Sequence, residues 1–397
     1  YKYASMKNNK IRFYIKGEYH MNGNNENEKT KVIVTINDDE YETDKKVVVV
    51  GMSGGVDSSV SAYLLKQQGY FVVGATMQVL PENTVQQQNN NVPSAIEEAK
   101  RIARKLDICH FVVDFKEVFQ KNVIDYFVSE YQKGRTPNPC VACNRYVKWE
   151  ALLHISNKIG ADFIATGHYA EIVKHPKTQR YTLKCREENK KDQTYVLYYL
   201  TQEQLQCTLM PIGGYQKEEI RKIAEQIDVT ISKKADSQEI CFIPDNDYSG
   251  FIKRETAKTY PVGNFVDLDG NVLGKHKGII YYTVGQRKGL GIAFGKPMYV
   301  YSIDAEKNEV VLCENDALFQ KTVYADKLNF MGIEKIEDGM RLQGKIRYHH
   351  NKAWCTVYMK NESELMCVFD EPQRAVTPGQ ALVLYDGEYV ACGGTIK

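Results

Sequence analysis

The sequence predicts a mixed α/β protein in three parts. A parallel-sheet domain spans residues 46–208, a small central domain spans 209–320, and an antiparallel β-barrel spans 321–397. Three observations predict this. The run from Lys46 to Val50 is rich in valine and leads through a glycine-rich turn into an amphipathic segment, as a buried parallel strand leads into a helix. Strand-like and helix-like stretches then alternate as far as Thr166, the pattern of a parallel sheet covered by helices. From about Ala325 the texture changes to short alternating strands separated by turn signals such as Thr377-Pro378-Gly379 and Asp386-Gly387, which suits a small barrel.

The elements follow in order. Residues 1–45 read as a disordered extension, with Asn, Lys and Glu dominating Asn22 to Lys31. A helix is expected from near Ser58 and a second strand over Phe71 to Val79. The polar tract Gln86 to Asn91 reads as a loop, and Ile96, Ala99, Ala103 and Leu106 form the apolar face of the next helix. A strand near Ile108 to Val113, a helix carrying Phe119, Val123 and Phe127, and a strand at Asp162 to Thr166 complete the first domain. After Leu205 comes a short helical region, Glu218 to Ile227, and then loops rich in glycine and charge. Barrel strands are expected at Arg341 to His349, Ala353 to Tyr358, Leu365 to Phe369 and Ala381 to Tyr385.

Bulk composition excludes little beyond membrane and disulfide-rich classes. The chain has 397 residues, 43% of them hydrophobic, with 52 basic against 50 acidic side chains. That charge balance neither requires nor excludes a nucleic-acid partner, because a phosphate-binding face can be local. No apolar run is long enough for a bilayer and the start has no signal-like apolar core, so a cytoplasmic protein with no membrane partner is expected. In that setting the ten cysteines read as thiols, redox groups or metal ligands. Cys109, Cys313, Cys355, Cys367 and Cys392 lie in apolar or alternating runs and read as small hydrophobes.

The turn Gly51-Met52-Ser53-Gly54-Gly55-Val56-Asp57-Ser58-Ser59 has the chemistry of an anion cradle. Its adjacent glycines let backbone amides approach a phosphate, its serines add hydroxyl donors, and the following helix presents free N–H groups. Asp57 is a candidate to orient a metal ion. It is not a Walker A loop, since no Lys-Ser/Thr pair follows the last glycine.

A second candidate site is the C-x-x-C pair, Cys140 and Cys143, within Gly134-Arg135-Thr136-Pro137-Asn138-Pro139-Cys140-Val141-Ala142-Cys143-Asn144-Arg145. Two prolines stiffen it, and its spacing suits metal or redox work. Structural zinc is disfavoured because no second ligand pair follows at finger spacing. Cys241, in Asp236-Ser237-Gln238-Glu239-Ile240-Cys241-Phe242-Ile243, is the remaining distant partner.

The loop resembles the Ser-Gly-Gly-x-Asp-Ser motif of the PP-loop ATP pyrophosphatases. From Lys46 to Lys397 the chain is similar to the tRNA-specific 2-thiouridylases of that superfamily. The resemblance rests on the loop, on Gly134 to Asn144, on Ala165-Thr166-Gly167-His168-Tyr169-Ala170 and on Lys191-Asp192-Gln193. It continues through Asp236 to Ile243, Tyr282 to Gly291 and Phe369 to Gln380. It implies an ATP- and Mg²⁺-dependent enzyme that adenylates O2 of the wobble uridine, U34, and transfers sulfur to C2, releasing AMP and pyrophosphate. Implied partners are tRNA, by resemblance those for Lys, Glu and Gln, and a cysteine desulfurase or sulfur-relay protein.

The resemblance also distributes roles. Gly51 to Ser58, Met77 and Gly167 would hold ATP. Cys143 would be the nucleophile and Cys241 the carrier of persulfide sulfur, with Asp57 assisting. Asn138, Pro139, Cys140, His168, Lys191, Asp192, Gln193, Arg347, Tyr348 and Gln380 would meet the tRNA, and Arg287 and Lys288 form a small basic patch. Cys140 departs from a common form of the motif, which has aspartate there. It opens a second route in which Cys140, Cys143 and Cys241 hold a [4Fe–4S] cluster that carries sulfide. The sequence leaves both routes open. The stretch after Met77, Val79-Leu80-Pro81-Glu82, also departs from the aromatic and acidic stretch of many relatives. Two rivals follow: a tRNA-binding protein of this superfamily without thiolation, and another adenylating enzyme with the same loop.

Overall fold

The computed structural model describes residues 32–36, 39–81, 94–186, 188–234, 240–293 and 295–397. The polar tract at 86–91, most of the expected extension and the Asp236 to Glu239 motif lie outside the described residues. Within the extension, Val32–Ile36 and Asp39–Thr43 pair as an antiparallel hairpin, so the expectation of disorder over 1–45 does not hold for these ten positions.

The chain divides into two compact units. The first gathers residues up to Lys116, Lys148–Tyr169 and Cys207–Asp236. Its core is a five-stranded parallel sheet in the order Cys109–Asp114, Phe71–Gln78, Val47–Gly51, Phe163–Ala165, Thr208–Leu209. Val47 to Val50 are fully buried because both faces of a parallel sheet are covered by helices, which explains an unbroken valine run instead of an alternating one. Strand order reverses between Val47–Gly51 and Phe163–Ala165. The carboxyl ends of those two strands form the crevice where open α/β sheets take ligands.

The helix Val56–Gln67 and the helix Lys217–Ile227 bury Val56, Val60, Leu65, Ile220, Ala224 and Ile227 in one cluster with Val48 and Val50. Residues 209–236 therefore continue the sheet unit, whereas the sequence placed a boundary at 208. A change of texture marked the end of the strands, but the apolar face of Lys217–Ile227 belongs to the same core.

The second unit comprises Glu117–Val147, Ala170–Gln206 and Ser237–Lys397. Its barrel is a six-stranded antiparallel ring, Phe319–Phe330, Glu364–Arg374, Ala353–Asn361, Met340–Lys345, Ala381–Asp386 and Tyr389–Ile396, closed by pairing of the first strand with the last. Glu171–Lys174 and Tyr181–Lys184 extend the sheet beyond the ring through a single pairing of Lys184 with Tyr389. Cys355, Cys367 and Cys392 are fully buried inside it and Cys313 is buried in the central part, as small hydrophobes, while Cys109 is only half-buried.

A four-stranded sheet, Val272–His276, Gly263–Val266, Glu309–Cys313 and Tyr299–Asp304, forms the central part. The segment 117–147, expected with the parallel sheet, belongs here because its aromatic residues pack on the central part. Phe127 meets Phe242 at 5.5 Å and Phe251 at 6.3 Å between ring centroids. No helix among the described residues is long and apolar enough to cross a membrane.

Candidate active site

The anion loop sits at the reversal point of the parallel sheet. It leaves the strand with the Met52 N–H donating to Ala75 O at 2.8 Å. Gly54 turns the chain at a φ of +67°, and a Cβ there would lie 2.5 Å from the Ala95 carbonyl oxygen, so only glycine fits. The loop closes on itself: Ser53 N–H donates to Ser58 Oγ at 3.2 Å and Ser59 Oγ–H to Gly55 O at 2.8 Å. Gly55, at the cap of Val56–Gln67, offers no side chain to the helix N-terminus. The first-turn N–H groups are left to a ligand, and a phosphate is the anion they suit.

Gly167 brings the neighbouring strand end against this loop. A Cβ on it would lie 2.7 Å from Ser58 N and 2.8 Å from Asp57 C. Met52 is buried, and Met77 is half-buried at the end of the second strand. A second layer fixes the loop from beneath. Thr76 Oγ1–H donates to Met52 O at 2.8 Å and meets His110 Nε2 at 2.8 Å. Since the hydroxyl proton is already used, His110 donates from Nε2. Burial, helped by Lys100, pushes its pKa down to about 4 and keeps the ring neutral.

Asp57 is placed differently from the expectation that it orients a metal. Its carboxylate accepts from Lys217 Nζ at 2.8 and 3.0 Å and from Tyr169 Oη at 2.7 Å. Lys217 is itself buried, so this is a shielded ion pair that ties the first helix of the loop to Lys217–Ile227. Lys234 Nζ donates to Gly54 O at 2.9 Å. Neither lysine was singled out from sequence. Each lies more than 150 residues from the loop, and no local pattern marks it.

His168 is buried beside the same crevice. Its Nδ1 meets Thr166 Oγ1 at 2.8 Å, Lys148 Nζ lies 3.5 Å from Nε2, and the ring packs on Trp149 at 5.4 Å. Burial and then the Lys148 charge hold its pKa well below the ordinary histidine value, so the imidazole is neutral.

In the second unit Asn138 caps the short helix Pro139–Cys143. Its Oδ1 accepts from Cys140 N at 3.1 Å and Val141 N at 3.3 Å, with Pro139 at the first helical position. A π-helical turn, Asn144–Lys148, follows, and Asn144 Nδ2–H donates to Val196 O at 3.0 Å. Cys140 is exposed and Cys143 half-buried. Cys241 is exposed too, but the next side chain, Phe242, is buried against Phe119 at 5.7 Å and Phe127 at 5.5 Å, which anchors that backbone.

Among the described residues no group of three or more His, Cys, Asp or Glu side chains is gathered so as to hold a metal ion. Cys140, Cys143 and Cys241 are not gathered into such a group in this conformation, and the sulfur chemistry below is argued for the thiols.

Several of the expected tRNA-facing segments converge within this unit. Gln380 Nε2–H donates to Thr136 O at 2.8 Å, beside the cysteine helix. Tyr348 feels the charges of Asp192 and Cys140, which after burial push its pKa up to about 12. Asp192 accepts from Thr194 Oγ1–H at 2.6 Å, and burial raises its pKa. Lys191 N–H donates to Asn189 Oδ1 at 2.9 Å, and Gln193 caps the turn Thr194–Leu197. Arg347 is half-buried and donates to Ala375 O and, at 2.8 Å, to Thr377 Oγ1, so it braces the 375–377 turn. Arg287 and Lys288 are exposed.

Three family models match in chain order: a tRNA methyl transferase HUP domain over residues 46–245, a tRNA methyl transferase PRC-barrel domain over 249–314 and an aminomethyltransferase beta-barrel domain over 320–396. A tRNA-specific 2-thiouridylase from Lachnoclostridium phytofermentans is 57% identical over 355 residues, covering 88% of this chain and 99% of its own length. The chain belongs to the tRNA-specific 2-thiouridylase family. Two more 2-thiouridylases agree. The one from Clostridium acetobutylicum is 52% identical over 89% of this chain and 99% of its own length. The one from Clostridioides difficile is 51% identical over 89% and 98%. The HUP-domain model ends at residue 245, beyond the expected boundary at 208.

Proposed function

We propose that this protein is an ATP-dependent tRNA uridine 2-sulfurtransferase acting on U34 in the cytoplasm. The observation that carries the reading is the 57% identity to a 2-thiouridylase along 99% of that protein. The loop geometry supports it independently, since the uncapped helix start and Gly54 are suited to the phosphates of Mg-ATP.

Uridine O2 is a poor leaving group. In the proposed first step O2 attacks the α phosphorus, the bond to the β phosphate breaks, and pyrophosphate leaves. The AMP ester so formed at O2 can later depart with that oxygen. A flipped uridine exposes C2 to sulfur. Neutral His168, with Nε2 as the acceptor facing the Lys148 ammonium, can accept a hydrogen bond without adding charge beside the base.

Cys241, loaded as a persulfide by a sulfur-donor protein, attacks C2 through its terminal sulfur, and AMP is expelled. The Cys143 thiolate then attacks Cys241 Sγ. The S–S bond to the new thiocarbonyl sulfur breaks, its electron pair completes 2-thiouridine, and a Cys143–Cys241 disulfide remains. An external dithiol reduces that disulfide by two electrons and closes the cycle. Cys140 lies outside these bonds.

The test is direct. Unmodified tRNA for Lys, Glu or Gln, incubated with Mg-ATP, a persulfide donor and a dithiol, should yield 2-thiouridine by nucleoside mass spectrometry. Tight tRNA binding with no thiolated nucleoside would overturn the reading.

A further inference from the structure

The helix that carries the cysteine pair has a second face. Cys140 and Cys143 lie on one side. Asn138, Val141, Ala142 and Arg145, at helical spacing, line a separate open cavity of about 280 Å³ within the same unit. Its walls combine three cations with a set of tyrosines: Lys121, Arg145 and Lys327 with Tyr126, Tyr146 and Tyr199. No carboxylate lines it, and among the described residues none of the three cations is ion-paired.

Arg145 is placed by ring contacts and Lys327 by its backbone. The Arg145 guanidinium stacks 4.0 Å from the Tyr199 ring centre and 4.8 Å from that of Tyr146, which fixes its plane and leaves its N–H edge for an anion. Lys327 sits at φ +50°, a left-handed conformation uncommon for lysine, where the barrel strand slips register between Asp326 and Asn329. Its carbonyl accepts the Tyr199 hydroxyl, so the bulge is held against the cavity wall. Tyr146 is 41% exposed and offers a ring face toward solvent.

We propose that this cavity is a nucleotide subsite, binding a phosphate through Lys121, Arg145 and Lys327 while a base stacks on the exposed tyrosine. Aromatic faces take any base and cations take the phosphate, which is the pairing that single-stranded nucleic-acid sites use. The source of the nucleotide is either the bound tRNA strand, outside the target uridine, or free AMP. The tRNA source rests on the thiolation reading above. Because Val141 and Ala142 form part of the wall, occupancy would steady the helix whose other face carries Cys143.

Lys121 and Lys327 are exposed, so a Lys121→Ala/Lys327→Ala double variant can be tested without disturbing the core. In filter binding across a salt series, a strand-derived nucleotide predicts that the slope of log affinity against log salt becomes shallower by about 1.5, and that Lys121→Arg/Lys327→Arg restores it. A free-nucleotide source predicts an unchanged slope, with AMP stoichiometry by equilibrium dialysis falling from two sites to one in the double alanine variant. An unchanged slope together with unchanged AMP stoichiometry overturns the proposal. Failure of the thiolation reading is separate, since it would show as wild-type protein that makes no 2-thiouridine.

Discussion

The nucleotide loop and the cysteine segment are built by opposite strategies. Gly51 to Ser59 is a contiguous stretch whose shape is set at close range, by the φ of Gly54, the Ser53–Ser58 contact and the Thr76 hydroxyl beneath Met52. The sulfur chemistry instead depends on residues nearly a hundred positions apart, Cys143 on a short capped helix and Cys241 beside an aromatic anchor. Phosphate binding needs many small donors on a fixed curve, which one strand-to-helix turn supplies. Sulfur transfer needs thiols that are accessible and change partners, and an exposed cysteine next to a buried phenylalanine gives access without loss of position.

The sharpest way to break the comparison is to remove the thiol and leave the loop intact. Cys143→Ser should lower 2-thiouridine formation by about 1000-fold or more while tRNA affinity by filter binding stays within about twofold. Parallel loss of binding would mean that the two sites are not separable. Next in size is Gly167→Ala, whose added Cβ would collide with the backbone at Ser58. AMP formation should fall about 100-fold from misplaced loop amides, with the thiol reactivity of Cys143 unchanged in alkylation assays.

Phe242→Ala addresses the cysteine side. It removes a buried ring from the cluster with Phe119, Phe127 and Phe251 and should destabilise that unit by about 3 kcal/mol. Thiolation should drop more than AMP formation. Equal losses would show that Phe242 supports the fold and not the placement of Cys241.

The smallest effect concerns pH. His110 has a folded pKa of about 4 against an ordinary 6.5, so between those values the unfolded chain binds the proton and the folded chain does not. Stability should therefore be flat above pH 6.5 and decline as pH falls toward 4. His110→Gln keeps a donor for Thr76 and should reduce that decline in thermal melts, and an identical profile would remove His110 as its cause.

The same contrast explains what the sequence made legible. The valine strand, the loop and the alternating barrel strands are local patterns and all are present, although the strand expected over Arg341 to His349 ends at Lys345 and the one expected over Leu365 to Phe369 runs Glu364–Arg374. The helix begins at Val56, two residues before the expected Ser58. Asp57's partners were not legible, because Lys217 comes from a distant helix, Tyr169 from the loop after Phe163–Ala165, and such contacts leave no periodic trace. The boundary at 208 failed for a related reason, since helix Lys217–Ile227 is amphipathic wherever it docks. The three-cysteine cluster was a statement about residue types alone, and the tertiary structure does not gather those side chains into a metal-holding group.

The central claim is that ATP at the loop activates uridine O2 for replacement by sulfur. The most direct measurement uses tRNA carrying ¹⁸O at O2 of U34, with AMP analysed by mass spectrometry after a single turnover. The account predicts one ¹⁸O atom in the phosphate of AMP for each 2-thiouridine formed. Product formed with unlabelled AMP would contradict it.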